Sequence, residues 1–158
     1  MAVAIKNFTQ PLPKGPGVVF SDIAESVLPE WDISLVFVSS KKALELNNKL
    51  RGKNYVPNGL SYVVGDKSAE IIICPSEARK QAPSFQLPAS SFLLLLFIHG
   101  ALHIKGWAHG GKMEKCERNV LAKVATRSVR KNQNETAHSD RNRHRHIPSK
   151  DGGGRGSF

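Results

Sequence analysis

Cysteine is scarce in this sequence: Cys74 and Cys116 are the whole complement. Two thiols cannot build a disulfide scaffold, which excludes a stapled secreted module and points to a reducing compartment. Long apolar runs are also missing. The longest, Phe92 to Ile98, falls far short of the ~20 residues a membrane-spanning helix requires. The opening stretch MAVAIKNFTQPLPKGPG has no apolar core of signal-peptide type. Acidic residues are few, 13 Asp+Glu against 23 Lys+Arg, so the formal net charge is +10. These absences leave the expectation of a small, basic, cytoplasmic protein with no membrane partner. Its 158 residues suit one domain, and 40% apolar residues are enough for a packed core.

The charge is unevenly placed. Residues 1–126 hold 15 Lys+Arg and 10 Asp+Glu, a net of +5; residues 127–158 hold 8 and 3, again +5. The second segment has only Val129, Ile147 and Phe158 as large apolar residues and is rich in glycine near its end. It cannot bury enough surface to offset its ordering entropy. The expected organisation is therefore a folded domain over 1–126 and a basic, disordered tail over 127–158. Two readings of the tail stand side by side, an RNA-binding arm and an inert extension.

Within 1–126, periodicity alternates between helix and strand. Phe20, Ile23, Ala24, Val27 and Leu28 have helical spacing, with Ser21 or Asp22 as a cap. Residues 33–38 read as a strand, and 41–50 as a helix capped by Ser40. Leu60–Val64 and Ala69–Cys74 are strands around a Gly65-Asp66 turn. Pro75 can open a short helix. From Phe92 to Ile104 the chain is apolar apart from His99, Gly100 and His103, which predicts a buried central helix stopped by Gly106. A last helix covers about 112–124, with Met113, Cys116, Val120, Leu121 and Val124 on one face. The expected class is α+β (mixed α/β), a three- to four-stranded sheet packed against helices.

His99, His103 and His109 carry the chemistry. Residues four apart share a helix face, about 6 Å apart along the axis, so His99 and His103 can share one metal ion. The Gly106 turn can return His109 to the same point. Three imidazoles leave a fourth zinc position for water or substrate. Gly100 stands where a zinc peptidase of the H-E-x-x-H type has its Glu, which disfavours that class.

The segment His99-Gly-Ala-Leu-His103-Ile-Lys-Gly106-Trp-Ala-His109 resembles the H-G-x-L-H-L-x-G-x-D-H signature of the YbeY family of metal-dependent endoribonucleases. Leu46-Asn47 through Arg51, Lys53, Asn58, Leu60, Ser61 and Tyr62 resembles the family's second motif, and Ala69 to Cys74 its G-D-I-x-I-C strand. The resemblance covers about residues 18–125. It implies one zinc ion held by His99, His103 and His109, with Arg51 as the catalytic arginine. It also implies single-strand-specific cleavage of RNA in ribosomal RNA maturation, at the small-subunit 3′ end, and in ribosome quality control. A planar, permanently charged guanidinium suits a phosphate. Lys53, Asn58 and Lys105 are the expected substrate contacts, and the general base is unassigned. Glu114 and Glu117 are expected on a solvated helix face. Ala108 replaces the family's Asp, and Pro57-Asn58-Gly59 departs from its usual loop. Two other classes compete: a non-catalytic ribosome-associated RNA-binding factor with a structural metal, and a metallohydrolase of another substrate.

Overall fold

In a computed structural model of the chain, the described residues are 3–9 and 17–124. The expected boundary near Thr126 and the basic segment 127–158 lie outside them. Four strands form one mixed sheet: β1 (Val3–Asn7), β2 (Asp32–Phe37), β3 (Gly59–Gly65) and β4 (Ser68–Ile73), in the order β1-β2-β4-β3. β1, β2 and β4 run parallel, and β3 pairs antiparallel with β4. The helices are α1 (Gly17–Val27), α2 (Ser40–Arg51), α3 (Pro75–Gln81) and α4 (Ala89–Ile104), followed by α5 over residues 111–124. A 3-10 turn, Ala82–Phe85, links α3 to α4. This is the expected α+β class.

The sequence of each central strand follows from its place. β4 lies between β2 and β3 and is covered on both faces, so Ile71, Ile72 and Ile73 are all buried. Ile71 and Ile73 join the larger core with Leu35 and Phe37 of β2 and the apolar faces of α1 and α4. Ile72 turns the other way, with Leu60, Val38, Ala43 and Cys74. Phe20, Phe37 and Phe97 meet at the centre of the larger core, Phe20 edge-on to Phe97 with ring centroids 5.1 Å apart. α4 is therefore a core element along most of its length, as its unbroken apolar run requires.

Two expected caps move. α1 begins at Gly17, so Ser21 and Asp22 lie inside the helix rather than capping it. The α2 cap is Ser39, not Ser40: the Lys42 amide donates to Ser39 Oγ at 3.3 Å. Ser40 instead shares a 2.7 Å hydrogen bond with the Ser76 hydroxyl. Among the described residues, no single helix is long and apolar enough to cross a membrane.

Candidate metal centre and its cleft

The site is built at the end of α4. Gly100 brings that helix against the sheet: a Cβ there would meet Ile71 Cγ2 at 3.3 Å and Ser61 Cβ at 3.5 Å. The glycine inside the histidine motif thus serves packing, letting His99 and His103 emerge beside the sheet edge. The helix then stops in a Schellman turn. Gly106 takes φ +101°, its amide donates to the His103 carbonyl at 2.9 Å, and the Trp107 amide donates to Leu102 at 3.0 Å. This reversal carries His109 back toward the helix. Trp107 packs on the core, with Lys112 Nζ 4.9 Å from its ring centre.

The three rings come together. Their centroids are 4.5 Å (His99–His103), 4.8 Å (His99–His109) and 4.4 Å (His103–His109) apart. One nitrogen from each ring falls within 4.8 Å of the others. Imidazoles bound tetrahedrally at 2.0–2.1 Å would have nitrogens about 3.4 Å apart. The cluster could therefore hold a metal ion with small side-chain adjustments.

The outer nitrogens decide the inner ones. His103 Nδ1 lies 3.1 Å from the Trp107 carbonyl oxygen, which can only accept, so Nδ1 carries the proton. His99 Nδ1 lies 2.5 Å from Glu117 Oε1 and donates to that carboxylate. With both Nδ1 positions protonated and the rings neutral, the two Nε2 atoms present lone pairs to each other at 3.0 Å. That contact is repulsive unless a cation lies between them, and it fits the donor set to a metal. Burial, reinforced by His99 and His109, pushes the His103 imidazole below its ordinary pKa and favours the neutral, ligating form.

Glu117 corrects the expectation of a solvated face. It is only 8% exposed and orients His99 from outside the three-nitrogen set. Glu114 is exposed, as expected. The signal for Glu117 was present: it is four residues from both Met113 and Leu121, on the inward face of α5.

A cleft of about 630 Å³ opens beside the histidines. Leu95, Leu96 and His99 of α4 form one wall. Met113, Glu114, Glu117, Arg118 and Leu121 of α5 form the other. Phe85, Leu87, Asn58 and His109 also line the cleft. Asn58 donates its amide to Gln81 Oε1 at 2.9 Å. Of the expected contacts, then, Asn58 reaches the cleft. Arg51 is exposed at the end of α2, and Lys53 and Lys105 are exposed as well; none of the three is among the lining residues. The loop after Arg51 is tied down from inside: fully buried Asn47 donates Nδ2 to the Tyr55 carbonyl at 2.9 Å. Arg118 is the lining residue with a permanent positive charge, a position the sequence did not single out.

Comparison with known proteins identifies the family and the fold. The profile of the family described as endoribonuclease YbeY matches residues 18–133, well over half of the chain. Relatives described as endoribonuclease YbeY include one from Thermodesulfovibrio yellowstonii, 35% identical over 105 residues, covering 58% of this chain and 66% of that protein. One from Thermosipho melanesiensis is 35% identical over 82 residues, covering 51% and 59%. Another, from Bdellovibrio bacteriovorus, is 32% identical over 80 residues, covering 49% and 53%. The chain thus spans between about half and two thirds of the length of these three relatives. The solution structure of a Thermotoga maritima protein shares the fold, with a TM-score of 0.58 at 22% identity over 85% of this chain and 95% of that one. By the profile match, and with the three histidines standing together as the motif implies, the chain belongs to the endoribonuclease YbeY family.

Proposed function

We propose that the chain is a zinc-dependent endoribonuclease that cleaves single-stranded RNA in ribosomal RNA maturation, at the 3′ end of the small-subunit RNA, and in ribosome quality control. The observation that carries this reading is the convergence of three imidazoles at the wall of an open cleft, with the outer nitrogens of His99 and His103 fixed by Glu117 and the Trp107 carbonyl. The family membership supplies the substrate class. The reducing compartment inferred from two unpaired thiols suits a cytoplasmic site of action.

His99, His103 and His109 would hold the ion, which would supply Lewis-acid chemistry for a phosphate oxygen and for activation of water. The chain's own groups do the rest. Glu117 and the Trp107 carbonyl hold the ring protons of His99 and His103 on Nδ1 and so aim their Nε2 atoms. Arg51 neutralises phosphate charge as it grows toward the transition state, from the last turn of α2, next to the loop that Asn47 holds in shape. Asn58 contacts the strand within the cleft, while Lys53 and Lys105 guide it from outside. Residues 1–126 form the catalytic unit, and the +5 charge of 127–158 adds long-range attraction for RNA.

The test begins with bound metal, measured by elemental analysis of the purified chain, and with cleavage of a structured ribosomal RNA. One zinc per chain is expected in the wild type, with loss of stoichiometric metal in His103→Ala. Arg51→Glu should keep the metal and lose most cleavage. Metal retained by His103→Ala would overturn the ligand assignment, and wild-type cleavage by Arg51→Glu would overturn the role of that arginine. Ala108 favours the non-catalytic RNA-binding reading. RNA bound by the zinc-loaded chain without being cut would establish it.

A further inference from the structure

Resting on the reading of this chain as a ribonuclease, we propose that Phe85 is the stacking platform of a nucleobase subsite. In this subsite a single unpaired base, one nucleotide along from the phosphate at the histidines, lies over the phenyl ring.

Phe85 is a large apolar residue left 55% exposed, and it lines the same cleft as His99 and His109. Its ring is backed rather than free. It lies on Phe92 with centroids 4.8 Å apart and planes inclined by 32°. The backbone beneath it is fixed too. Pro83 locks one torsion of the 3-10 turn, and the Gln86 and Leu87 amides close it by donating to Pro83 and Ala82 at 3.0 and 3.2 Å. A ring held in this way loses little freedom when a base covers its open face, the condition under which stacking gives the most binding.

Its position relative to the chemistry follows from α4. Phe92, Leu95, Leu96, His99 and His103 recur at helical spacing and form one stripe of that helix. From Phe92 to His99 the stripe runs about 10 Å along the axis. That is roughly the span over which one nucleotide carries its base away from a phosphate. The stripe changes character along its length. At the histidine end it is polar, with Glu117 and Arg118 across the cleft; at the Phe85 end Leu87, Leu95 and Leu96 make it apolar. A phosphate matches the first end and a base face the second. Asn58 lines the cleft as well, and its side-chain oxygen has no hydrogen-bond partner among the described residues, so it can accept from the edge of a base.

A base can lie over Phe85 only if it has left its own stack. A duplex would have to unstack and unpair one residue to use the subsite. The platform therefore gives the cleft a preference for single strands without any reading of sequence, since every base has a π-face.

The test uses the full chain loaded with zinc and single-stranded RNA oligonucleotides, each carrying 2-aminopurine at one position. Fluorescence is followed by rapid mixing, before cleavage. The wild type should quench the probe when it occupies one position beside the cleavage site, and should not quench it in a duplex. Phe85→Leu keeps apolar bulk but removes the π-face. It should lose the quench and raise KM about tenfold with kcat little changed, and Phe85→Tyr should restore both. Unaltered quench and KM in Phe85→Leu would overturn the proposal, as would cleavage by the wild type with no quench at any position. A quench that appears only after deletion of residues 127–158 would mean that the chain's own segment fills the cleft, and would overturn it as well. In each of these cases RNA cleavage persists, so the ribonuclease reading survives. A wild type that neither binds nor cuts RNA would remove both.

Discussion

At the residue scale, the site depends on which nitrogen of each ring is free. His103 can offer Nε2 because the Trp107 carbonyl takes the Nδ1 proton, and His99 can do so because Glu117 does. Glu117→Gln keeps an acceptor oxygen but removes the charge that raises ligand basicity. Metal affinity, measured by competition with a chromophoric chelator, should fall by about 10- to 100-fold. The fold should hold, because the side chain is replaced by one of nearly equal volume. An unchanged affinity would mean that Glu117 plays no part in orienting His99. The histidine cluster was legible in the sequence because the i, i+4 spacing and the glycine turn are local signals. Glu117 was not read, because a carboxylate on a mostly apolar helix face looks like a solvated neighbour until the opposing imidazole is known. Arg118 was missed for the same reason: whether it faces solvent or cleft depends on how α4 and α5 pack.

At the scale of elements, α4 both fills the core and carries the site, so the two functions share its fate. Gly100 lies close against the sheet, where a single added carbon would meet Ile71 tightly and Ser61 at ordinary contact distance. Gly100→Val should destabilise the fold by about 1–3 kcal/mol through overpacking, read as a lower midpoint in urea with unchanged m. It should also lower metal occupancy, because the displaced helix moves both of its histidines. Phe97→Ala, at the centre of the aromatic core, should cost about 3–5 kcal/mol and affect the metal only through unfolding. Most elements could be read from periodicity, since β2, β4, α1 and α4 each bury a clear apolar pattern. β1 could not. It is an edge strand, half-buried at Val3 and exposed from Ala4 to Asn7, so no alternation marks it, and its pairing with β2 is a property of the sheet rather than of its side chains. The one-residue shift of the α2 cap from Ser40 to Ser39 reflects two adjacent serines equally fit for the role; the hydroxyl of Ser76, 36 residues away, occupies the second.

At the scale of the whole molecule, charge and site are separate contributions. Half of the +10 belongs to residues 127–158 and half to the remainder, while His99, His103, His109, Arg51 and the cleft all lie within 1–126. Removing 127–158 should leave the metal and the cleavage chemistry intact. It should flatten the dependence of RNA affinity on salt by about 0.7 in slope for each phosphate that the segment neutralises, measured by titration across a series of salt concentrations. An unchanged slope would mean that the segment neutralises no phosphate. The central claim is that three histidines of a YbeY-family fold hold zinc for cutting RNA. It is tested most directly by incubating the chain, loaded with one equivalent of zinc, with a single-stranded ribosomal RNA fragment and resolving the products by length. Defined internal cleavage that disappears in His103→Ala is the predicted result; an intact RNA in the presence of stoichiometrically bound zinc would contradict it.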